Sequence, residues 1–283
     1  MQHSGVRIGR LGLAGGRAAS SQASLYDRGS GPPLIVVPGV QGRWEWMRPA
    51  LDALSLRCRT ISYTLCGDIG AGCSVDSQPE FDCYLRQLDG IVDRLGVRHP
   101  AICGVSYGGL IALRYAATRP DRVGAVVFVS APAPGWKPSS RQSAQIASPW
   151  LSTPGFVLGA PFRVWPEIRA ALPGWRERLR FAVVHGFRVL AAPSIPSMMA
   201  RRVRQQEAID FERDLDRITA PVLVVTGEET LDTVVPVHVT QRYCDRIPGA
   251  RYVRMDGTGH IGMITQPDRF ATVVAEFVHA HHQ

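Results

Sequence analysis

The stretch from Pro100 to Leu113, PAICGVSYGGLIAL, constrains the fold of this chain more than any other. A short apolar run leads into Gly104, Ser106 and Gly108, and a helical pattern of apolar residues continues beyond them. A serine in this setting lies on a sharp strand-to-helix turn, where its backbone is strained and its hydroxyl projects from the sheet. Small residues two positions before and after it prevent a clash between strand and helix. The motif predicts a nucleophilic serine, and a chance Gly/Ser turn is the alternative.

Apolar runs and helical patterns alternate along most of the chain. Two near-continuous apolar runs are typical of buried strands, residues 123–130 and 221–226, and a further strand pattern occupies residues 250–255. Strands that alternate with helices predict a mostly parallel, doubly wound α/β sheet. Between the first and second of these runs the sequence is rich in Pro, Trp, Met and Arg and contains no clear strand. We therefore predict three parts: a flexible N-terminal segment (1–22), an α/β core (23–132 and 218–283) and a helical cap (133–217).

Composition limits the class of protein. The chain has 283 residues, of which 45% are hydrophobic and 20% are charged, enough to form one sizeable core. No apolar run approaches the roughly 18 residues that a membrane-spanning helix needs. Gly and Arg interrupt the apolar part of the N-terminus, which argues against a secretory leader. We expect a cytoplasmic protein that does not enter a membrane.

The positive charge of the chain does not indicate nucleic-acid binding. The formal net charge is +8, and arginine supplies nearly all of the basic residues, since Lys137 is the only lysine. The arginines are scattered, and no recognised nucleic-acid-binding module or interleaved aromatic-basic run appears. We expect no nucleic-acid partner.

The six cysteines do not indicate a metal site. No C-x-x-C pair occurs, and no Cys/His cluster has the spacing of zinc ligands. Cys103 lies within the strand that leads to Ser106 and is expected to be a small core residue. Cys66, Cys73 and Cys83 could pair in an oxidising compartment, but free thiols are the expected state.

A nucleophilic serine requires a base and an acid that orients the base. His260, in the segment GTGHIG, follows the last predicted strand, so its loop would emerge at the same sheet edge as Ser106. His185, in the predicted cap, is the only rival. Asp232 follows the apolar run PVLVVT and is the candidate acid. Two neighbouring carboxylates are expected to be solvated: Glu228 and Glu229.

With these residues in place, the chain resembles members of the α/β-hydrolase superfamily over about residues 23–280. The resemblance rests on VVPGVQG, GVSYGG, GEETLDTVVP and GTGHIG in this order, which is also the family's Ser–Asp–His order. In such families the aspartate four residues before the proline of a D-x-x-V-P segment is the triad acid, which matches Asp232. The first loop usually reads His-Gly, whereas this chain has Pro38-Gly39. The backbone N–H of Val40 would still be available to form an oxyanion hole with that of Tyr107, although a plain tight turn is the alternative.

The resemblance implies a carboxylesterase-like serine hydrolase that cleaves a small or medium carboxylic ester or thioester through an acyl-enzyme, with no metal or organic cofactor. Two alternatives stay open. The same triad could serve a C–C bond hydrolase, a lyase or a cofactor-free peroxidase, or the fold could belong to a non-catalytic binding protein. A complete triad argues against the binding protein. The expected partner is a small-molecule substrate, and a homodimer is compatible with the sequence.

The predicted cap would cover Ser106 and form an apolar substrate pocket. Its arginines are expected to form a solvated face, with binding of an anionic substrate by Arg201 and Arg202 as the alternative. The large apolar residues expected to supply this lining, or alternatively to form the cap's own core, are Trp136, Trp150, Phe156, Phe162, Trp165, Trp175, Phe181, Phe187, Met198 and Met199.

Overall fold

A computed structural model describes residues 24–75, 81–137, 159 and 162–282. In this part of the chain seven strands form one sheet, in the order β1-β3-β2-β4-β5-β6-β7. Only β1 runs antiparallel to its neighbour, and all other pairs are parallel. The mostly parallel α/β sheet is therefore confirmed. The strands are β1 Leu25–Arg28, β2 Pro33–Val37, β3 Arg59–Tyr63, β4 Ala101–Val105, β5 Ala125–Val129, β6 Val222–Thr226 and β7 Arg251–Arg254.

Helices cover both faces of the sheet, which explains why its central strands are continuously apolar. All five residues of β4, β5 and β6 are buried, as expected for parallel strands packed on both sides. The edge strand β7 is largely exposed and carries arginine at both ends, which disfavours pairing with another sheet.

The described helices, in chain order, are α1 Arg48–Leu54, α2 Asp82–Leu95, α3 Gly108–Thr118, α4 (residues 162–171), α5 Trp175–Ala191, α6 Pro196–Ala208, α7 Glu212–Leu215, α8 Val237–Arg246, α9 Gly262–Thr265 and α10 Pro267–Ala280, with 3₁₀ turns at Trp44–Met47 and Pro120–Arg122. Helices α2, α3 and α8 pack on one face of the sheet, and α1, α9 and α10 pack on the other. This arrangement confirms the doubly wound architecture.

Helices α4 to α7 all lie between β5 and β6, where the sequence contains no clear strand. We call residues 162–217 the helical insertion. The predicted N-terminal segment 1–22 and part of the predicted cap, including Trp150 and Phe156, lie outside the described residues. The boundaries given for the cap stay a prediction.

Arg202 of α6 joins the insertion to the core. Its side chain is fully buried, forms an ion pair with the equally buried Asp68, and donates hydrogen bonds to the carbonyls of Val40 (2.9 Å) and Cys66 (3.0 Å). The prediction of a solvated or substrate-binding arginine is therefore wrong for Arg202. A guanidinium is tolerated inside a protein when an opposite charge and several acceptors replace its water.

Cys66 and Cys73 form a disulfide in the structure, so the expectation of free thiols is wrong for this pair. The loop between them folds back on itself, because the N–H of Gly67 donates to the carbonyl of Cys73 at 3.0 Å. The two Cα atoms are consequently 5.0 Å apart, within the range that a disulfide requires. The Cys103 thiol is free and buried in β4, as predicted.

No helix in the described ranges combines the length and the apolar character that crossing a bilayer requires.

Candidate active site

Ser106 occupies the turn between β4 and α3 with the strained backbone that the motif predicts. Its φ angle is +51°, a conformation that costs a non-glycine residue about 1–3 kcal/mol. Two backbone hydrogen bonds hold the turn: the Ser106 N–H donates to the Val129 carbonyl (2.9 Å), and the Gly109 N–H donates to the Ser106 carbonyl (2.8 Å). The β5 strand and the first turn of α3 therefore stabilise the strained position.

The glycines on either side of Ser106 are required by space. A Cβ atom at Gly104 would lie 2.5 Å from the carbonyl oxygen of Gly108, and one at Gly108 would lie 2.4 Å from the carbonyl oxygen of Val37. Both obstacles are backbone atoms, which cannot move aside as a flexible side chain would. The predicted clash between strand and helix is confirmed for Gly104, whereas Gly108 is required by the neighbouring strand β2.

Asp232 and His260 lie in contact beyond the carboxyl ends of β6 and β7. The Nδ1 atom of His260 is 3.2 Å from Oδ1 and 3.3 Å from Oδ2 of Asp232. The carboxylate also accepts the N–H groups of Val234 (3.1 Å) and Val235 (3.0 Å). Because the parallel strands β4, β6 and β7 all end at the same edge of the sheet, Ser106 and this pair share that edge.

The pKa shifts of Asp232 and His260 both favour the charged forms of the two groups at this contact. Burial would raise the pKa of Asp232, but the His260 ring and two backbone N–H groups lower it overall. Burial would lower the pKa of His260, and Asp232 outweighs that effect, so the pKa of His260 is raised. An imidazole held at Nδ1 by a carboxylate presents Nε2 as its free acceptor.

The structure brings two of the three predicted catalytic side chains into direct contact. Among the hydrogen bonds of the described residues, none joins the Ser106 hydroxyl to the His260 ring. Catalytic hydrogen bonds are often long in the absence of substrate.

The predicted oxyanion-hole residues flank Ser106. A Cβ atom at Gly39 would lie 3.3 Å from the Cβ atom of Ser106, so the loop that carries Val40 passes directly beside the serine. Within the described residues, neither the Val40 N–H nor the Tyr107 N–H donates a hydrogen bond. Both amides are thus available as donors.

The insertion holds both of these residues from its own side. Arg202 donates to the Val40 carbonyl at 2.9 Å, and the Tyr107 hydroxyl donates to Gln205 Oε1 at 3.2 Å. Gln205 Oε1 also accepts the Tyr84 hydroxyl at 3.4 Å. Helix α6 therefore contacts both loops beside Ser106.

The rival base, His185, is not placed for catalysis. It lies on α5 and stacks on the Phe181 ring at a centroid distance of 5.4 Å. Burial, with a smaller contribution from Arg188, lowers the pKa of its ring to about 4. Its Nδ1 atom is buried without a hydrogen-bond partner among the described residues, so no acid from this part of the chain orients the ring through that atom.

The two other carboxylates of the acid loop differ from each other. Glu229 is exposed and pairs with the exposed His238 (3.1 Å), as predicted for a solvated residue. Glu228 is only partly exposed and accepts the Gly257 N–H at 2.6 Å. Glu228 therefore supports the loop that carries His260 and is not the solvated carboxylate that was predicted.

Sequence reasoning missed one carboxylate, that of Glu167 on α4. Its residue is 1% exposed, and its two oxygens lie 3.0 and 3.1 Å from the backbone N of Ile261. Burial raises the pKa of Glu167 to about 7. The sequence does contain one signal, because Glu167 is the only acidic residue between Asp121 and Glu177.

Several aromatic residues predicted to line a pocket lie instead on the surface of the insertion. Phe162, Trp165, Trp175 and Phe187 are exposed, Phe162 by 80%. These four side chains do not form a buried lining. Trp136 and Met198 pack against the core and remain candidates. In the ranges that the structure covers, no group of three His, Cys, Asp or Glu side chains could hold a metal ion.

Comparison with known proteins places this geometry in a family. The sequence model of the alpha/beta hydrolase family matches residues 34–273. A protein from Stutzerimonas stutzeri named carbamate hydrolase RutD is 25% identical over 252 residues, which cover 87% of this chain and 91% of that protein.

Two solved structures share the fold. An esterase from Exiguobacterium antarcticum has a TM-score of 0.74 at 18% identity and covers 91% of this chain and 96% of its own. A bromoperoxidase from Bacillus anthracis has a TM-score of 0.72 at 21% identity, with 91% and 95% covered. At these identities the likeness to solved structures concerns the fold alone, whereas the family model matches most of the sequence. The chain belongs to the alpha/beta hydrolase family.

Proposed function

We propose that this protein is a carboxylesterase-like serine hydrolase that works through an acyl-enzyme, with Ser106 as nucleophile, His260 as base and Asp232 as the acid that orients the base. The observation that carries the proposal is the buried contact of Asp232 with His260 Nδ1, at the sheet edge where Ser106 is held at a φ angle of +51°. A binding protein has no need of a buried acid–imidazole pair beside a strained serine.

The proposed mechanism uses these three side chains and two backbone N–H groups. The Ser106 hydroxyl attacks a carbonyl carbon and transfers its proton to His260 Nε2. Asp232 stabilises the resulting imidazolium, and the backbone N–H groups of Val40 and Tyr107 bind the oxyanion. His260 then protonates the leaving group, and water releases the acyl group by the same steps in reverse order. Loss of one oxyanion donor typically raises the barrier by about 2.7–4 kcal/mol.

The proposed substrate is a small or medium ester or thioester bound under the insertion. The name of the Stutzerimonas stutzeri relative adds a carbamate as a second candidate, because the same attack on a carbonyl carbon cleaves it. The shared fold with a bromoperoxidase keeps a cofactor-free peroxidase as the alternative reaction. A panel of p-nitrophenyl esters of increasing chain length, a thioester and a carbamate, together with an assay of peracid formation from acetate and hydrogen peroxide, distinguishes these reactions.

A fluorophosphonate probe tests the nucleophile. We expect wild type to be labelled and Ser106→Ala to remain unlabelled. Ser130→Ala is the matched control, because Ser130 is also buried at the end of a central strand with a positive φ angle, +41°. Equal labelling of wild type and Ser106→Ala would overturn the assignment.

A cytoplasmic location and a homodimer also stay proposals. The sequence favours the cytoplasm, whereas the Cys66–Cys73 disulfide favours an oxidising compartment and argues against it. Mass spectrometry of alkylated protein from cells would identify the state of this pair.

A further inference from the structure

Glu167 extends from α4 of the insertion to the loop that carries His260. Its oxygens accept the Ile261 N–H at 3.0 and 3.1 Å. A Cβ atom at Gly259 would lie 2.8 Å from Glu167 Oε2, so the carboxylate approaches this closely only because residue 259 has no side chain. The carboxylate therefore lies against the backbone on both sides of His260.

The acid loop contacts Gly259 as well. The same Cβ atom at Gly259 would lie 2.4 Å from the carbonyl oxygen of Leu231, the residue before Asp232. The backbone that carries the imidazole is thus confined between the acid loop and α4. The position of this backbone depends on Glu167 as well as on the acid loop.

Glu167 faces charges that matter to the base. No ion pair joins it to any described residue, and the titratable groups that act on it from the packed loops are His260 and Asp232. Burial raises the pKa of Glu167 and Asp232 adds to this, while the N–H groups of Ile261 and Gly259 and the His260 ring lower it. Conversely, Glu167 raises the pKa of His260. Its effect is smaller than the lowering by burial and the raising by Asp232.

We infer that Glu167 is a positioning residue. As a carboxylate it fixes the Gly259–Ile261 backbone and supplies a second negative charge beside His260. The position of the insertion therefore determines whether His260 can act as the base. This inference rests on the proposed function, in which His260 accepts the proton of Ser106. The imidazolium formed in that step would face two carboxylates, one from the core and one from the insertion.

A pH dependence follows. The base works when His260 is neutral and Glu167 is ionised, so activity falls as the pH drops through neutrality. Replacing Glu167 by glutamine removes a charge that raises the pKa of His260. The acid limb of the pH–rate profile should therefore move to lower pH, even though the maximal rate falls.

The test compares the rate of fluorophosphonate labelling from pH 5 to 9 in wild type and Glu167→Gln. We expect the plateau rate of Glu167→Gln to fall by about tenfold, because a neutral amide oxygen holds the Ile261 N–H less strongly than a carboxylate does. We expect its acid limb to move down by about half a pH unit or more. Glu177→Gln is the matched control, because Glu177 is also in the insertion and accepts a backbone N–H, that of Gly174, but is exposed. Its profile should match that of wild type.

Two further measurements keep the outcome interpretable. Glu167→Asp retains the charge, so its acid limb should stay near that of wild type even if its plateau is low. Glu167→Ala also removes the charge, and it substitutes for Glu167→Gln if that variant does not fold. Titration of His260 by NMR in isotope-labelled protein reads the same pKa without activity, so it decides the inference even if wild type is not labelled and the proposed function fails. An acid limb and a His260 pKa that are the same in wild type and Glu167→Gln would reduce Glu167 to a structural tether and overturn the inference.

Discussion

Replacing Asp232 by asparagine removes the negative charge from its contact with His260, which is almost inaccessible to solvent. The side chains of Asp232 and His260 are 1% and 10% exposed, and the shortest distance between the carboxylate and Nδ1 is 3.2 Å. At an effective dielectric constant of about 20, two unit charges at this distance attract each other by about 5 kcal/mol. This energy is available only once His260 has taken the proton of Ser106, so it lowers the barrier rather than stabilising the resting enzyme. Since about 1.4 kcal/mol corresponds to tenfold in rate, we expect a loss of about 10³- to 10⁴-fold.

The assay is the rate of fluorophosphonate labelling, or of ester hydrolysis, at the pH optimum. An asparagine amide that donates to Nδ1 would also place the imidazole proton on Nε2, where it blocks acceptance of the serine proton. Glu229→Gln is the matched control, because Glu229 and His238 form an acid–imidazole pair on the surface, 54% and 70% exposed. Exposed pairs contribute about 0–1 kcal/mol, so this variant should retain its activity. A rate for Asp232→Asn within tenfold of wild type would refute the assignment of Asp232.

Three further predictions concern stability, measured as the free energy of unfolding in denaturant. Gly104→Ala should destabilise the protein by about 1–3 kcal/mol, because its methyl group would meet backbone atoms. Gly90→Ala in α2 should be neutral or stabilising, because a Cβ atom there would have nothing within 4 Å. Equal effects of the two substitutions would contradict the steric argument. Arg202→Ala should cost about 3–5 kcal/mol because it leaves the Asp68 carboxylate buried without its partner, and a loss below about 1 kcal/mol would exclude this pair as the anchor of the insertion. The raised pKa of Glu167 means that the folded protein holds this proton more tightly than the unfolded chain does. The stability contributed by the protonated group is therefore complete below the unfolded pKa of 4.5 and is lost as the pH rises to about 7. Glu167→Gln should remove about 3 kcal/mol of this decline, and an unchanged pH dependence of unfolding would contradict the burial of the charge.

The features of the site that are local in sequence were predictable from sequence. Gly104 and the apolar strand before Ser106 follow from the steric demands of one turn, which act over five residues. Gly108 was predicted by the same motif, although the atom that its Cβ would meet belongs to Val37. The positions of Asp232 and His260 also followed, because both come directly after strands of a parallel sheet and the carboxyl ends of such strands meet at one edge. The contact between these two side chains is the outcome of that topology.

The features that sequence reasoning missed depend on contacts between distant residues. Glu167 and Ile261 are 94 positions apart, and Arg202 and Asp68 are 134 positions apart. Periodicity carries no information about such pairs, because a buried charge and a solvated one are the same letter in the sequence. The exposed aromatic residues of the insertion were misassigned for the same reason: an apolar residue in a helical segment indicates a face, but not which neighbour that face has.

The insertion is attached to the site at three chemically different points. Arg202 binds the carbonyl of Val40, Gln205 accepts the hydroxyl of Tyr107, and Glu167 accepts the amide beside His260. In the proposed mechanism, each contact acts on the backbone or the side chain of a residue that binds the transition state, as an oxyanion donor or as the base. A shift of the insertion would therefore disturb the oxyanion donors and the base together, because all three are bound to it. For this reason we expect substitutions at these contacts to lower kcat more than they raise KM, the pattern of interactions that strengthen in the transition state.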